Sequence, residues 1–201
     1  FLLDISVKTT EMFRDPDFWL FFKNELVRNF SEKKLKIWIA GCSSGEEVFS
    51  LAIMLKELGI YESTSILATD ISESIIEKAK KGEYLVSKIE TSAKNYEKFE
   101  GKENFESYFT TEGRKVKMNS NLSENIEFKV FDFVKSNDNL HKFDVVICRN
   151  VMIYFNSNLQ DRVLNILSQN LKIGGNLIIG IRESFFGSSI FHKYIAVNDR
   201  E

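Results

Sequence analysis

The stretch LKIWIAGCSSGEEVFSLAIMLKELG, residues 35–59, decides the fold class of this 201-residue chain. It opens with an apolar run, Leu35–Ala40, which predicts a buried strand, and continues into a glycine-containing turn over residues 41–46. Apolar side chains then recur at helical spacing over residues 47–58, and Gly59 is placed to end that helix. A strand, a tight turn and a helix in this order predict the first half of a βαβ unit and hence a parallel sheet.

The same alternation continues along the chain. Four more apolar runs predict strands, at Ile66–Thr69, Ile126–Phe131, Phe143–Cys148 and Leu177–Gly180. Helices are predicted over residues 73–81, with Ser72 as the cap, and over residues 159–171, with the Gly174-Gly175 pair ending the second. Lys193–Val197 is a candidate last strand. Strands that alternate with helices predict an α/β fold with a doubly wound, mostly parallel sheet covered on both faces.

Two regions depart from this alternation. Residues 16–30 form an amphipathic pattern that predicts a helix, with Asp15 as the cap and Pro16 in the first turn. Residues of about 82–125 are polar and rich in Lys and Glu, with aromatic side chains spaced through them. We predict that they form an inserted subdomain with a helix and a small antiparallel β-sheet.

Length and composition bound the organisation and the partners. We expect a helical lead-in over residues 1–30 and a main domain over residues 31–201. Because the first residue is Phe1 rather than Met, the chain is expected to be a fragment.

Lys and Arg total 27 against 29 Asp and Glu, so nothing favours a nucleic-acid partner. No apolar run reaches the roughly 18 residues of a membrane span, so no direct membrane insertion is predicted.

The cysteines and histidines indicate the redox compartment and bear on metal binding. Cys42 and Cys148 suit a reducing cytoplasm better than a disulfide framework. The two cysteines and two histidines stand in no metal-ligand spacing, so no metal site is predicted.

Polar groups collect where the predicted strands end. In an open α/β sheet, ligands bind beyond the carboxyl ends of the strands, where the strand order reverses. The groups predicted to lie there are Gly41–Glu46, Asp70, Asp132-Phe133 and Arg149-Asn150.

The chemistry of these groups indicates the ligand. The turn is not the G-x-G-x-x-G fingerprint of dinucleotide binding. Its glycines are followed by Glu46 and Glu47, whose carboxylates would repel a pyrophosphate and suit a cationic or hydroxyl-rich ligand. Asp70 ends the next strand, where an acid accepts hydrogen bonds from ribose hydroxyls. A ribose site without a phosphate cradle predicts S-adenosylmethionine, a nucleoside that bears a sulfonium and an amino acid.

Five elements, in one order over nearly the whole chain, carry a family resemblance. They are Thr10–Asp15, Ala40–Glu47, Ala68–Ser72, Cys148–Phe155, and Leu171–Gly175 leading to Gly180 and Glu183-Ser184. On these elements the chain resembles the CheR-type chemoreceptor glutamate methyltransferases. The pieces GCSSGEE and CRNVMIYF are highly specific. The second piece has no proline, unlike the corresponding element of enzymes that methylate DNA amino groups.

The resemblance implies a Rossmann-like class I methyltransferase that uses S-adenosylmethionine. The methyl acceptors would be glutamate γ-carboxylates on the cytoplasmic helices of transmembrane chemoreceptors. Their methylation would tune signalling in adaptation. Together with Gly41 of the turn, the implied cofactor-binding set is Thr10, Arg14, Gly41, Glu46, Asp70, Asp132, Phe133, Arg149 and Asn150. Arg14 and Tyr154 would lie near the transferred methyl as the catalytic residues.

The resemblance also implies an organisation of the chain. Residues 1–30 would contribute to the cofactor site. Residues 82–125 match the family's small β-subdomain, which in some members docks a receptor's C-terminal peptide. The family's N-terminal helical domain would lie upstream of Phe1, and the expected location is cytoplasmic.

The chain departs from the family in places. Lys8 stands where Asn is common and would bring a second cation near the sulfonium. Met12 replaces a common Phe, and Asp132 a common Asn. Ile181-Arg182 replaces His-Ser and would alter the approach of the substrate. The changes at Lys8 and Ile181-Arg182 keep open a second function, a non-catalytic module that retains the fold and docks a receptor or partner.

Plainer interpretations of single residues are also open. Arg14 can pair with Asp15 or Asp17 at the start of a surface helix, and Tyr154 can be a core aromatic. A small-molecule methyltransferase is a third functional interpretation, which the specific motifs disfavour.

Overall fold

The computed structural model describes residues 10–30, 34–135, 140 and 142–197 of the chain. Within these ranges each apolar run predicted as a strand over residues 35–180 coincides with or overlaps a strand, and three short, more polar strands lie within residues 83–118. The strands are β1 (Leu35–Ala40), β2 (Thr64–Asp70), β3 (Glu83–Leu85), β4 (Phe109–Glu112), β5 (Lys115–Met118), β6 (Ile126–Val130), β7 (Phe143–Cys148) and β8 (Leu171–Ile179).

Five α-helices are found within the same ranges. They are α1 (Pro16–Phe30), α2 (Glu46–Glu57), α3 (Glu73–Lys81), α4 (Val86–Lys98) and α5 (Ser157–Gln169). None of the helices in the described residues is both long and apolar enough to cross a membrane.

The main sheet is parallel and has the order β6-β2-β1-β7-β8. Alternate residues of β1 face opposite sides. Ile37 and Ile39 join a core with side chains of α1 and α2, whereas Trp38 and Ala40 join a core with side chains of α5. The predicted doubly wound sheet, covered on both faces, is therefore confirmed. Its strand order reverses between β1 and β7, and this switch point is where a ligand site is expected.

The inserted subdomain is also confirmed. β3, β5 and β4 form a separate antiparallel sheet in that order, and α4 packs with it. Phe13, from the segment before α1, stacks on Phe99 of the subdomain at 4.7 Å between ring centroids and meets Tyr96 at 5.1 Å. The amide of Phe13 donates to Oγ of Ser50 in α2 at 2.8 Å. One residue thus joins the N-terminal segment to the subdomain and to the main domain.

The predicted role of the Gly174-Gly175 pair is wrong. α5 ends at Gln169, and the pair lies inside β8. Phe143 pairs with Leu171 and Val145 with Asn176, so β8 bulges out between these two positions. Gly174 has a φ of +77°, a left-handed conformation that suits glycine in a bulge.

The predicted last strand, Lys193–Val197, does not form. Phe191–Lys193 is a short 3-10 turn, and the described residues after it are not in a strand. Tyr194 stacks on Phe185 at 5.7 Å between centroids, and its hydroxyl contacts Oγ of Ser168 in α5 at 2.8 Å. These contacts hold the segment against a helix rather than beside the sheet.

Candidate functional site

A pocket lies at the carboxyl edge of the main sheet, beside the switch point. Its walls come from the segment before α1, the start of α1, the turn after β1 with the start of α2, and the end of β7. It is lined by Thr10, Glu11, Arg14, Trp19, Gly41, Cys42, Ser43, Glu47, Arg149 and Asn150. Five predicted site residues lie in this lining, namely Thr10, Arg14, Gly41, Arg149 and Asn150. The other five, all in the described part of the chain, lie outside it: Glu46, Asp70, Asp132, Phe133 and Tyr154.

The glycine turn is bound to the end of β2. The amide of Gly41 donates to the carbonyl of Thr69 at 2.7 Å. The Asp70 carboxylate accepts hydrogen bonds from the amides of Ser43 at 3.0 Å and Ser72 at 3.2 Å. Because an ionised carboxylate can accept about four hydrogen bonds, Asp70 keeps acceptor capacity for a ligand hydroxyl beside the turn. Ser72 takes the predicted N-cap position of α3, but without a side-chain capping bond.

Gly41→Ala should destabilise the chain more than Gly59→Ala. Both glycines have a left-handed φ, +82° and +71°, so each substitution strains the backbone by about 1–2 kcal/mol. A Cβ at Gly41 would also lie 2.4 Å from Cγ2 of Val151, whereas nothing lies within 4 Å of one at Gly59. Overpacking of this kind costs about 1–3 kcal/mol more. Urea unfolding measures both variants, and equal losses would show that the contact with Val151 relaxes freely.

Glu46 lies beside the inserted subdomain rather than in the pocket lining. Its Oε2 accepts a hydrogen bond from the Ser44 hydroxyl at 2.7 Å. Its Oε1 lies 3.6 Å from Nζ of Lys88 in α4, is buried, and has no hydrogen-bond partner within the described residues. Burial raises the pKa of Glu46 above its ordinary value, although the Ser44 hydroxyl and the Lys88 cation lower it. A buried carboxylate oxygen of this kind is suited to a cationic donor from a ligand.

Glu46→Gln should raise the free energy of unfolding at pH 7. A raised folded-state pKa means that the contribution of Glu46 to stability is fully present below the unfolded pKa of about 4.3 and is lost as pH rises through the folded pKa. Glutamine does not titrate, so its advantage should shrink as pH falls toward about 4.5. Urea unfolding at pH values from about 4.5 to 7 measures this difference in stability between Glu46→Gln and wild type. The control is Glu77→Gln, a substitution of an exposed glutamate. A variant less stable than wild type at pH 7 would show that Ser44 and Lys88 outweigh burial.

Arg149 is the centre of a buried ion-pair network. Its guanidinium donates to Glu47 at 2.8 Å and to Asp15 at 2.6 Å, and lies 4.0 Å from the centre of the Phe18 ring. The Arg149 side chain is 1% exposed. Burial raises the pKa of Glu47, and the Arg149 cation lowers it. The Asp15 carboxylate, predicted to cap α1, thus binds Arg149, which ties the N-terminal segment and α2 to the end of β7.

Three predicted residues lie apart from the pocket lining. Oδ1 of Asp132, after β6, accepts a hydrogen bond from the amide of Val134 at 2.8 Å. Phe133 packs near Trp38, with 6.2 Å between ring centroids. Tyr154, in the loop after β7, is 62% exposed, so it is not the core aromatic considered above. Ligand contacts of these residues stay predictions.

The sequence reasoning missed Glu11, Trp19 and Glu47 in the lining. One signal was available for Glu47: neighbouring side chains on a helix project about 100° apart, so only one of the adjacent acids Glu46 and Glu47 can face the pocket, although the sequence does not show which. Trp19 lies in an apolar pattern typical of a core residue. Its Nε1 is buried and has no hydrogen-bond partner in the described part of the chain. Lys8, where a departure from the family was noted, lies outside the described residues.

The fold and the site together define a class of protein. A parallel sheet of this order holds the pocket at its switch point, and an acid follows the second strand. The pocket has Arg14 and Glu47 on its walls and no phosphate-binding fingerprint. Nε1 of Trp19 and Oε1 of Glu46 have no hydrogen-bond partner among the residues that the structure describes, and they fit a ligand that carries hydroxyls, a carboxylate and an ammonium. These features are those of the S-adenosylmethionine-dependent methyltransferases.

Comparison with known families agrees with this class. A family model described as CheR methyltransferase, SAM binding domain, matches residues 8–198. The chain therefore belongs to the CheR methyltransferase family, and its cofactor is S-adenosylmethionine. The family resemblance deduced from the sequence is confirmed.

Three relatives illustrate the similarity. A Pseudomonas putida protein named Cher3 is 40% identical over 182 residues, which cover 90% of this chain and 66% of that protein. Chemotaxis protein methyltransferase Cher2 of the same species is 31% identical, with coverages of 91% and 68%. Chemotaxis protein methyltransferase 1 of Vibrio cholerae is 32% identical, with coverages of 91% and 67%. The chain thus spans about two thirds of the length of these relatives.

Proposed function

We propose that this chain transfers a methyl group from S-adenosylmethionine to glutamate carboxylates on the cytoplasmic helices of chemotaxis receptors. The observation that carries the proposal is the pocket at the switch point, where Arg14 and the Gly41 turn meet and Asp70 binds the turn. Similarity to proteins named chemotaxis protein methyltransferases supports the class of substrate.

The proposed reaction needs no general base. A glutamate side chain has a pKa of about 4.3 and is ionised at pH 7, so its oxygen is already a nucleophile. When bound, S-adenosylmethionine supplies an electrophilic methyl group on a positive sulfonium, and breaking of the methyl C–S bond as the C–O bond forms leaves the neutral thioether S-adenosylhomocysteine. The protein's main task is alignment, because partners held in line at about 3–3.5 Å gain several kcal/mol from proximity.

Four side chains divide that task in the proposal. Asp70 accepts hydrogen bonds from the ribose hydroxyls through its remaining acceptor positions, and Glu46 accepts one from the ammonium through Oε1. Arg14, on the pocket wall, orients the substrate carboxylate with its planar guanidinium. Tyr154, exposed in the loop after β7, contacts the substrate.

The inserted subdomain is the proposed docking site for a receptor's C-terminal peptide. β4 lies at the edge of the three-stranded sheet, and its last three residues are exposed. Such an edge admits an extended peptide as an additional strand.

A cytoplasmic location belongs to the same proposal, because the receptor helices that would be methylated lie in the cytoplasm.

Methyl transfer from radiolabelled S-adenosylmethionine onto receptor-containing membranes tests this function. We expect incorporated label that base releases as methanol, since carboxyl methyl esters are base-labile, and no such label on membranes without receptors. Cofactor binding without transfer would favour the non-catalytic docking module. A chain that does not bind S-adenosylmethionine would contradict the proposal.

A further inference from the structure

Glu183 holds the loop after β7 through main-chain hydrogen bonds. Its Oε1 accepts from the amides of Val151 at 2.9 Å and Met152 at 2.6 Å. Its Oε2 accepts from the amides of Asn150 at 2.9 Å and Gly180 at 2.7 Å. An ionised carboxylate has about four acceptor positions. The backbone therefore uses all of them.

The backbone on both sides is shaped around this carboxylate. Asn150 has a left-handed φ of 60°, and the amides of residues 150–152 converge on one anion, as in a backbone nest. Gly180 has no room for a side chain, because a Cβ there would lie 2.9 Å from the backbone nitrogen of Asn150 and 2.7 Å from Oε2 of Glu183. The Glu183 amide donates to the Gly180 carbonyl at 2.9 Å. This turn after β8 brings the Glu183 carboxylate to the loop after the neighbouring strand, β7.

The loop that Glu183 holds forms part of the pocket. Asn150 is in the lining. The Val151 side chain packs against the glycine turn so closely that a Cβ at Gly41 would lie 2.4 Å from its Cγ2. Glu183 is not itself among the lining residues. Its hydrogen bonds can therefore act on a ligand only through the loop, by way of Asn150 and Val151, whereas its charge also acts on Glu47 of the lining, whose pKa it raises.

We propose that Glu183 is a positioning residue for methyl transfer, which fixes the loop after β7 so that the pocket keeps its S-adenosylmethionine-binding shape. This inference rests on the proposed function. The carboxylate is required because a glutamine has only one acceptor oxygen. Its NH₂ group would face amide donors, and buried N–H groups would lose their partners.

The test compares Glu183→Gln with Asp161→Asn in the full chain. The Asp161 carboxylate also holds a loop amide, that of Ser189 at 2.6 Å, but it lies in α5 outside the pocket lining. The probe is S-adenosylhomocysteine, with its Kd measured by calorimetry and thermal unfolding followed in parallel. We expect Glu183→Gln to weaken binding by about tenfold and Asp161→Asn to leave it unchanged. Glu183→Asp keeps the charge and should recover part of the affinity.

Amide hydrogen exchange gives a second readout. Exchange at residues 150–152 should be faster in Glu183→Gln than in wild type, and unchanged in Asp161→Asn. Unchanged exchange, wild-type affinity in Glu183→Gln, or equal affinity losses in both variants would overturn the inference. If Glu183→Gln does not fold, Glu183→Asp carries the same comparison, with a smaller expected loss. A wild-type chain that does not bind the probe would overturn the proposed function and this inference together.

Discussion

Arg149→Met should lower the free energy of unfolding by about 3–5 kcal/mol at pH 7, the usual effect of breaking a buried ion pair from one side. The guanidinium is almost fully buried and pairs with Glu47 and Asp15. Without it, the Glu47 carboxylate, whose side chain is 19% exposed, loses its ion-pair partner. The stacking of the cation over the Phe18 ring is lost as well. Urea unfolding followed by circular dichroism measures the loss.

The pH dependence of that loss is a further check. Burial raises the pKa of Glu47, and loss of the Arg149 cation should raise it further. A carboxylate with a raised folded pKa stabilises the chain less as pH rises through that pKa. The loss in Arg149→Met should therefore be smaller at pH 5 than at pH 7.

Arg28 supplies the matched control. It pairs with Glu25 at 3.2 Å on the surface, and its side chain is 74% exposed. Arg28→Met should cost less than about 1 kcal/mol. Adding Glu47→Gln to Arg149→Met should recover part of the stability, because the carboxylate that has lost its ion-pair partner is then absent. Equal losses in the two arginine variants would contradict a structural role for the buried network.

Asp70→Ala should weaken S-adenosylhomocysteine binding by about 10- to 100-fold, the effect of losing a hydrogen bond to a charged group. The substitution removes the acceptors proposed for the ribose hydroxyls. It also frees the amides of Ser43 and Ser72, which the carboxylate holds at the glycine turn and at the start of α3. Calorimetry with the purified chain measures the change in Kd.

Asp144 is the control for Asp70. Its carboxylate also accepts a backbone hydrogen bond, from the amide of Lys36 at 2.9 Å. It lies near the start of β7, whereas Asp70 lies at the end of β2, so the two acids stand at opposite edges of one parallel sheet. Asp144→Ala should leave affinity for the probe unchanged. Wild-type affinity in Asp70→Ala would disprove the ribose assignment.

The central sheet could be predicted because β1, β2, β7 and the last residues of β8 contain runs of mostly apolar side chains. Leu35–Ala40 is such a run, and the carboxyl ends of parallel strands share one edge, so the place of the site followed as well. The glycine pair in β8 could not be placed in this way. Gly-Gly commonly ends a helix, and only the pairing with β7 shows that it forms a bulge instead.

Parts of the site depend on contacts that no local pattern encodes. Glu46 and Glu47 are adjacent and chemically alike, and only the helix geometry decides which one faces Arg149. The pairing of Arg149 with Asp15 spans 134 residues of sequence. Glu183 belonged to a recognised motif, but its four amide partners come from the loop after β7 and the end of β8. Such roles require the folded backbone.

The position of Phe13 limits how the inserted subdomain of this chain can be exchanged. Its ring sits among the aromatic side chains of the inserted subdomain, while its amide is bonded to α2. The neighbouring residues Thr10, Glu11 and Arg14 line the pocket. Replacing residues 83–118 by those of a relative would therefore change the aromatic side chains that contact Phe13. A chimeric protein should keep this packing only if residues 10–14 and the subdomain come from the same parent. The two segments are therefore expected to change together in evolution.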